Sequence, residues 1–295
     1  MELVQHNEVQ QKSKKNERIS LIIRRIFVYI FLIFTSIICI FPFYILLVNS
    51  THAHTEIMNH FNWWFGNSFF SNFKKLLGMS NLPIVKAFTN SLFVSLACAT
   101  LTVYFSALTA YSTHIYNFKG KKFVTTFILA IMMIPTQVAS LGLVVICIKM
   151  NLLNSYLPII IPSIASPVTY FYMKQYLASV LPYETIEAAR VDGSSEIRIF
   201  HSIVLPMIKP ALALQFIFAY VASWNNFFVP SMLIRNSDMK TVPLVIALLK
   251  NSSPDTFDLG PVYILMSIAV FPLLIIYLIF SKSIISGLTS GAVKG

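Results

Sequence analysis

The sequence is poor in charge. Of its 295 residues, 11% are Asp, Glu, Lys or Arg and 56% are hydrophobic, against about 25% and about 45–50% in soluble domains. So little polar material cannot cover an aqueous surface, which excludes an ordinary soluble enzyme and a disordered tail. The three cysteines, Cys39, Cys98 and Cys147, lie inside apolar runs and cannot all pair. We expect them to be buried thiols, and their spacing suits neither a disulfide scaffold nor a metal site.

The hydrophobic residues are concentrated in segments. Several stretches contain no Asp, Glu, Lys or Arg and approach or exceed the roughly 18–20 residues that cross a bilayer. These stretches are residues 26–48, 87–112, 123–148, 156–173, 211–234 and 261–281. Pro158, Pro162 and Pro167 weaken the fourth as a regular helix, although membrane spans tolerate proline. The pattern predicts an all-α, polytopic membrane protein with about six transmembrane helices and terminal tails at residues 1–25 and 282–295.

The net charge of +11 is explained by where the basic residues lie. With the N-terminus inside, most of the 22 Lys and Arg residues fall on the cytoplasmic side. Because cytoplasmic loops of membrane proteins are enriched in Lys and Arg, both termini are expected in the cytoplasm. The positive charge is therefore mainly a topology signal, and no nucleic-acid partner is predicted.

The sequence lacks the side chains that ion-coupled transport and nucleotide binding require. The predicted spans contain no acidic or basic side chain and no His, which disfavours a secondary transporter coupled to ions through such groups. The sequence also lacks a phosphate-binding loop, so the energy for uphill transport would come from a partner. No catalytic residues are predicted. His52, His54 and His60 lie outside the spans, and solvated histidines are a better interpretation than a metal site at His52 and His54.

Neutral polar and aromatic side chains do occur within the spans. The candidates for a substrate path are Gln137, Tyr220, Trp224, Asn225 and Asn226. Amides and hydroxyls beside aromatic faces suit a neutral, polyhydroxylated ligand. The alternative is that each residue forms an ordinary hydrogen bond between helices.

A polar segment between the fourth and fifth spans predicts a helix–turn–helix. Pro182 and Gly193 bracket a first helix. Ser194 or Ser195 can cap a second helix, which we expect to end near Leu205 because Pro206 disfavours helix before it. The second helix has an apolar side formed by Ile197, Phe200, Ile203 and Val204. Such an element could dock in a groove on a partner, or it could lie on the membrane surface.

The same segment resembles the EAA motif of ABC importer permeases. The matching residues are Glu187, Ala188, Ala189, Asp192, Gly193, Phe200, Leu205 and Pro206. Three further stretches, Met132–Val138, Trp224–Phe227 with Pro230, and Gly287–Gly295, are similar to the maltose-transporter-like carbohydrate branch. The resemblance runs from about Thr89 to the end. Asn226 departs from it, since family members often carry an acidic residue there, and Ser194 stands where Ala is frequent.

The resemblance implies a set of partners. Two permeases, implied to be different chains, would form the path for a sugar or oligosaccharide in a bacterial cell membrane. An ABC ATPase dimer would use ATP and Mg and would bind the coupling loop at residues 182–210, while this chain would bind no cofactor. An extracellular or periplasmic sugar-binding protein would deliver the substrate. The stretch Asn236–Gly260 would contact it through a polar turn formed by Asn251, Ser252, Ser253, Pro254 and Asp255. The alternatives are a permease for a non-sugar solute and, less favoured, a secondary transporter.

Overall fold

The computed structural model describes residues 2–79, 82–252 and 257–292, and every regular element within these ranges is a helix. The α-helices are α1 (Glu2–Ser50), α2 (His54–Asn59), α3 (Phe69–Gly78), α4 (Ile84–Ile115), α5 (Lys121–Ile131), α6 (Thr136–Lys149), α7 (Leu157–Ile160), α8 (Pro167–Val180), α9 (Tyr183–Val191), α10 (Glu196–Ile199), α11 (Leu205–Met207), α12 (Lys209–Trp224), α13 (Phe228–Leu233), α14 (Val242–Lys250) and α15 (Leu259–Ala292). Short 3₁₀ segments cover Ile161–Ile164 and Ser237–Met239, and a π-helical segment covers Phe200–Val204.

Several of these helices have the length and hydrophobicity of membrane spans. Within the described ranges they are Ser20–Ser50, Ile84–Ile115, Lys209–Leu233 and Leu259–Lys282. α5 and α6 make a further span if they count as one, although the chain bends by 97° between them. The bend precedes Pro135, which disfavours helix in the residue before it. The prediction of an all-α membrane protein is confirmed.

The fourth predicted span is not one continuous helix. The structure divides residues 156–173 among α7, the 3₁₀ segment Ile161–Ile164 and the start of α8. Pro158, Pro162 and Pro167 each lie at one of the first two positions of a new segment. A proline lacks the N–H that a helix interior needs but is well suited to a first turn, so each of the three lies in the first turn of a segment.

The chain forms two compact units, and the first comprises the residues up to Phe73 together with Leu259–Ser267. In this unit the buried Asn72 joins α3 to the end of α1 and the residues after it. The Asn72 Nδ2 donates to the carbonyls of Ser50 at 3.0 Å and His52 at 2.8 Å. His52 uses both ring nitrogens, at 2.8 Å from Glu56 Oε2 and 2.8 Å from the Trp64 carbonyl, which leaves neither for a metal. Among the described residues no group of three or more His, Cys, Asp or Glu side chains could hold a metal ion.

The second unit, Lys74–Asp258 with the chain from Ile268 onward, is built around α4. α8 and α12 both pack along α4, where Ala107 and Ala110 are fully buried. Small residues at such an interface let helix backbones approach closely. A core at the C-terminal end of α4 joins it to α8 and to the segment that follows α8.

A second core lies nearer the start of α4. Its buried residues are Val94, Cys98, Cys147, Ile159, Ile160, Leu233, Ile234 and Leu244. Cys98 and Cys147 are therefore buried as expected. The prediction is wrong for Cys39, which is exposed because none of the described residues covers that stretch of α1.

Candidate functional site

The predicted helix–turn–helix forms, and we call residues 182–210 the coupling hairpin after the role that the EAA resemblance implies for it. α9 begins after Pro182, and Gly193 has a φ of +78° in the left-handed region. The N–H of Gly193 donates to the Arg190 carbonyl at 3.0 Å, and the N–H of Ser194 donates to the Ala189 carbonyl at 3.0 Å. This pair of bonds is the Schellman motif, which closes a helix end and favours glycine at the left-handed position. The predicted turn is confirmed in its position and its chemistry.

The second arm of the hairpin begins as predicted but does not end at Leu205. Ser195 caps α10 by accepting the N–H of Arg198 at 3.4 Å. Beyond α10 the chain becomes π-helical from Phe200 to Val204 and then continues through α11, which contains Pro206. The N–H of Leu205 donates to the Phe200 carbonyl, five residues back. A proline removes one helical hydrogen bond and crowds the preceding turn, and the wider π turn accommodates it.

The hairpin packs one side against the core and exposes the other. Ile186, Ile199, Phe200 and Val204 are buried with residues of α4 and α8. Of the motif residues, Ala189 and Phe200 are buried and Leu205 is half-buried, whereas the exposed ones are Glu187, Ala188, Asp192, Gly193 and Pro206. Val191 and Ile197 are 87% and 74% exposed, beside half-exposed Tyr183. The predicted apolar side is therefore divided between the core and the surface.

A polar network that the sequence did not reveal joins the hairpin to the end of α4. Arg190 Nε donates to Glu196 Oε1 at 2.7 Å, across the turn at Gly193. Glu196 Oε2 accepts a hydrogen bond from the hydroxyl of Tyr111 at 3.2 Å and another from Tyr116. The Arg190 guanidinium also lies 5.5 Å from the centroid of the Tyr116 ring. One carboxylate thus connects both arms of the hairpin to α4.

The network predicts a pH-dependent contribution to stability. The bond from Arg190, aided by those from Tyr116 and Tyr111, holds the pKa of the Glu196 carboxyl below its usual value. The ionised Glu196 carboxylate contributes its full stabilisation to the folded chain above the unfolded-state pKa, roughly 4.3. This stabilisation is lost as the pH falls through the lower folded-state pKa. We expect Glu196→Gln to cost about 1 kcal/mol near neutral pH, since the side chain is partly exposed. The difference from wild type should vanish in acid.

Thermal melts of the detergent-solubilised chain between about pH 7 and about pH 3 would measure this difference. Asp238→Asn is the matched control, because Asp238 pairs with Lys86 at 2.8 Å with both side chains more than half exposed. Such a surface pair contributes little, so this variant should follow wild type at every pH. A Glu196→Gln deficit that persists in acid would contradict the assigned role of the carboxylate.

The second compact unit also contains a cavity of about 910 Å³, which lies beside α8 and α12. Its polar lining comes from neutral side chains, among them Thr102, Ser163, Gln175, Gln215, Ser223 and Asn226. Aromatic faces are supplied by Phe171, Tyr172 and Phe218. No charged side chain is among the described residues that line it. The cavity can therefore offer hydrogen bonds and flat apolar surfaces without attracting an ion.

The structure places the predicted path residues in different environments. Asn226 lines the cavity, whereas Tyr220 and Trp224 are buried, with their rings stacked at 5.9 Å. Asn225 ends α12, and its Nδ2 donates to the Val221 carbonyl at 3.0 Å. Gln137 is exposed and accepts from the Thr136 hydroxyl at 3.3 Å. Their part in transport stays a prediction. Gln175 was not foreseen as a lining residue, because it lies beyond the fourth predicted span.

Much of the predicted extracellular stretch Asn236–Gly260 is helical. α14 lies within it, and Leu244, Val245 and Leu249 are buried. Asn251 ends α14, and the Ser252 hydroxyl donates to the Leu249 carbonyl at 2.8 Å. Ser253, Pro254 and Asp255 lie outside the described residues, as do the last three residues of the predicted tail Gly287–Gly295.

Comparisons with known proteins agree with this architecture. Residues 102–289 match the family described as "Binding-protein-dependent transport system inner membrane component". The chain is 34% identical over 282 residues to the arabinooligosaccharides transport system permease protein AraQ of Bacillus subtilis (strain 168), covering 92% of this chain and 96% of AraQ. It is 30% identical over 282 residues to the trehalose/maltose transport system permease protein MalG of Thermococcus litoralis, and this alignment covers 93% of this chain and 98% of MalG.

A solved structure shares the fold. It is a crystal structure of a bacterial ABC transporter involved in the import of the acidic polysaccharide alginate, with a TM-score of 0.72 and 19% sequence identity over 90% of this chain and 97% of that chain. The family match spans more than half of the sequence, and the two relatives are aligned over nearly their whole length. The protein is therefore a multi-pass cell membrane protein that belongs to the family of binding-protein-dependent transport system inner membrane components.

Proposed function

We propose that this chain is a permease subunit of an ABC importer and forms half of the path for a neutral sugar or oligosaccharide, with a second, different permease forming the other half. The uncharged cavity beside α8 and α12 is the observation that carries the proposal. Hydroxyl and amide side chains can exchange hydrogen bonds with a sugar, while aromatic faces pack against its apolar ring surfaces. The relatives AraQ and MalG are named for arabinooligosaccharides and for trehalose and maltose, which are neutral carbohydrates.

The coupling hairpin is proposed to transmit movement from an ABC ATPase dimer. Its exposed apolar side chains, Tyr183, Val191 and Ile197, form a surface that a groove could cover. Glu187 and Asp192 are exposed on the same hairpin and provide a polar border. Apolar anchors inside a polar rim are typical of a protein interface. ATP and Mg would be used by the ATPase, with no cofactor on this chain, and both termini would lie in the cytoplasm.

The family description also implies a solute-binding protein, which we propose lies on the opposite side of the membrane from the ATPase. We propose that Asn251 and Ser252 at the end of α14, together with the polar residues Ser253 to Asp255 that follow them in the sequence, contact that protein. Asn251 and Ser252 are polar residues at the end of an apolar, packed helix. A packed helix of this kind can present the two polar side chains at its end to a partner.

Filling the cavity tests the proposed path. We expect Ala222→Trp to reduce uptake of a neutral oligosaccharide by roughly tenfold or more, because Ala222 lines the cavity and an indole would occupy space that a sugar ring needs. The measurement is uptake into proteoliposomes that contain the complete transporter and its binding protein. Ala130→Trp is the matched control, since Ala130 is an exposed residue of α5 outside the cavity.

The ATPase subunit should co-purify with both variants, which separates a blocked path from failed assembly. If both variants assemble and transport equally, the cavity is not the path. If a charged uronic-acid oligosaccharide is the better substrate of wild type, the proposal of a neutral cargo is wrong.

A further inference from the structure

A second cavity, of about 780 Å³, lies at the start of α5 and is lined by basic side chains. Lys119, Lys121 and Lys122 come from the α4–α5 connection and the first turn of α5, and Lys174 comes from α8. No acidic residue is among the described residues that line it. None of the four lysines forms an ion pair with the part of the chain that the structure describes.

The hydrogen bonds of this cluster position the lysines without neutralising them. Lys121 Nζ donates to Asn117 Oδ1 at 3.3 Å, and Lys174 Nζ donates to the Thr125 hydroxyl at 3.4 Å. Both acceptors are uncharged, and each ammonium has three donors. The N-terminal end of α5, which has no acidic residue in its first turn, adds a partial positive charge at the same place. The cavity therefore concentrates positive charge from two helices.

Exposed aromatic side chains continue from the basic cavity along α5. Phe123 and Phe127 are 72% and 55% exposed, and their rings stack at 6.0 Å. They lie one turn apart on a helix that begins at Lys121, so the polar site and the apolar strip are adjacent. A free anion would use only the lysines. A phospholipid would use both, with its phosphate at the lysines and an acyl chain along the phenylalanines.

The position of the cavity also favours a lipid. Tyr116, which donates to Glu196 of the coupling hairpin, is three residues from Lys119, so the cavity lies at the same end of α4 as the hairpin. This step rests on the proposed function, which places that end at the cytoplasmic membrane surface. Basic pockets between membrane helices on the cytoplasmic side are suited to anionic lipid headgroups. We propose that this cavity binds the phosphate group of an anionic phospholipid.

Native mass spectrometry of the purified full-length chain in a neutral detergent tests this proposal. The probes are phosphatidylglycerol, phosphatidylcholine and, separately, inorganic phosphate. We expect wild type to retain phosphatidylglycerol in preference to phosphatidylcholine, and Lys119→Gln/Lys122→Gln to weaken retention roughly 10- to 30-fold, because each lysine at an anionic surface contributes separately. Lys119→Arg/Lys122→Arg keeps the charge and should bind as wild type does.

The matched control is Lys149→Gln/Lys250→Gln, which removes two exposed lysines outside the cavity and should leave retention unchanged. Equal losses in both glutamine variants would indicate a general effect of positive charge, and equal retention of the two lipids by wild type would indicate no preference for an anionic headgroup. Either result would overturn the proposal. If inorganic phosphate at millimolar concentration displaces phosphatidylglycerol, the cavity is a site for a soluble anion and the lipid proposal is wrong. Binding is measured without transport, so failure here would leave the Ala222→Trp experiment intact, and failure there would leave this one intact.

Discussion

Replacing Gly193 with proline is expected to reduce ATP-coupled uptake to less than about a tenth of wild type while leaving the chain in the membrane. Gly193 has a φ of +78°, and its N–H donates to the Arg190 carbonyl at 3.0 Å. Proline fixes φ near −65° and has no N–H, so both the conformation and the hydrogen bond are lost. The turn would have to be remade, which would move α10 and Glu196 relative to α9. Since the proposed coupling depends on the hairpin as a rigid unit, ATP hydrolysis should continue without driving transport.

A graded series at the same position is the control. Asn accepts the left-handed conformation and should stay near wild type, whereas Ala should lie between Asn and Pro because an L-residue there costs about 1–2 kcal/mol. Apart from its two chain neighbours, none of the described residues has an atom within 4 Å of a Cβ built at Gly193, so steric clashes do not complicate the series. Uptake and ATPase rates would be compared in proteoliposomes at matched protein levels. Equal coupling ratios for Pro and Gly would refute the proposed role of the turn.

The sequence predicted the hairpin turn well because the signals that form it are local. Pro182 before α9 and Asp192-Gly193 after it lie next to the bonds they determine. The network around Glu196 could not be predicted in the same way. Its tyrosine donors, Tyr111 and Tyr116, are 85 and 80 residues away along the chain, and only the packing of α4 brings them to the turn.

The sequence pattern also did not predict which apolar side chains of α10 and of the segment after it lie in the core and which lie at the surface. Apolar residues at helical spacing indicate a face but do not say whether the core or a partner covers it. The π-helical segment adds one residue within a turn, which rotates the following side chains by about 100° relative to a regular α-helix. Ile197, which precedes that segment, is largely exposed, whereas Phe200 and Val204 lie in the core. The helix breaks around Pro135 and Pro162 show the same limit, since proline marks a break without giving its angle.

Phe200 and Ile197 allow stability and docking to be separated. Phe200 is 2% exposed, and its ring centroid lies 5.6 Å from that of Tyr111 and 5.9 Å from that of Tyr104. Phe200→Ala should lower the free energy of unfolding by about 3–5 kcal/mol, because it removes a buried ring and leaves a cavity between the hairpin and α4. Ile197→Ala should change it by no more than about 0.5 kcal/mol, since the side chain is largely exposed.

Docking is tested by a second substitution at Ile197, measured with the ATPase present. If Ile197 occupies a groove on the ATPase, Ile197→Asp should weaken co-purification of that subunit by roughly tenfold or more while the thermal midpoint of the isolated chain stays at the wild-type value, because a buried interface excludes an unpaired carboxylate. Arg198→Ala, which changes an exposed neighbour on α10, controls for a general effect of surface substitution. Phe200→Leu should recover part of the stability that Phe200→Ala loses, since it refills the site. Unchanged co-purification of Ile197→Asp would mean that this surface does not dock the ATPase. A lower thermal midpoint for Ile197→Asp would assign Ile197 to the fold of the hairpin and contradict its role as a docking side chain.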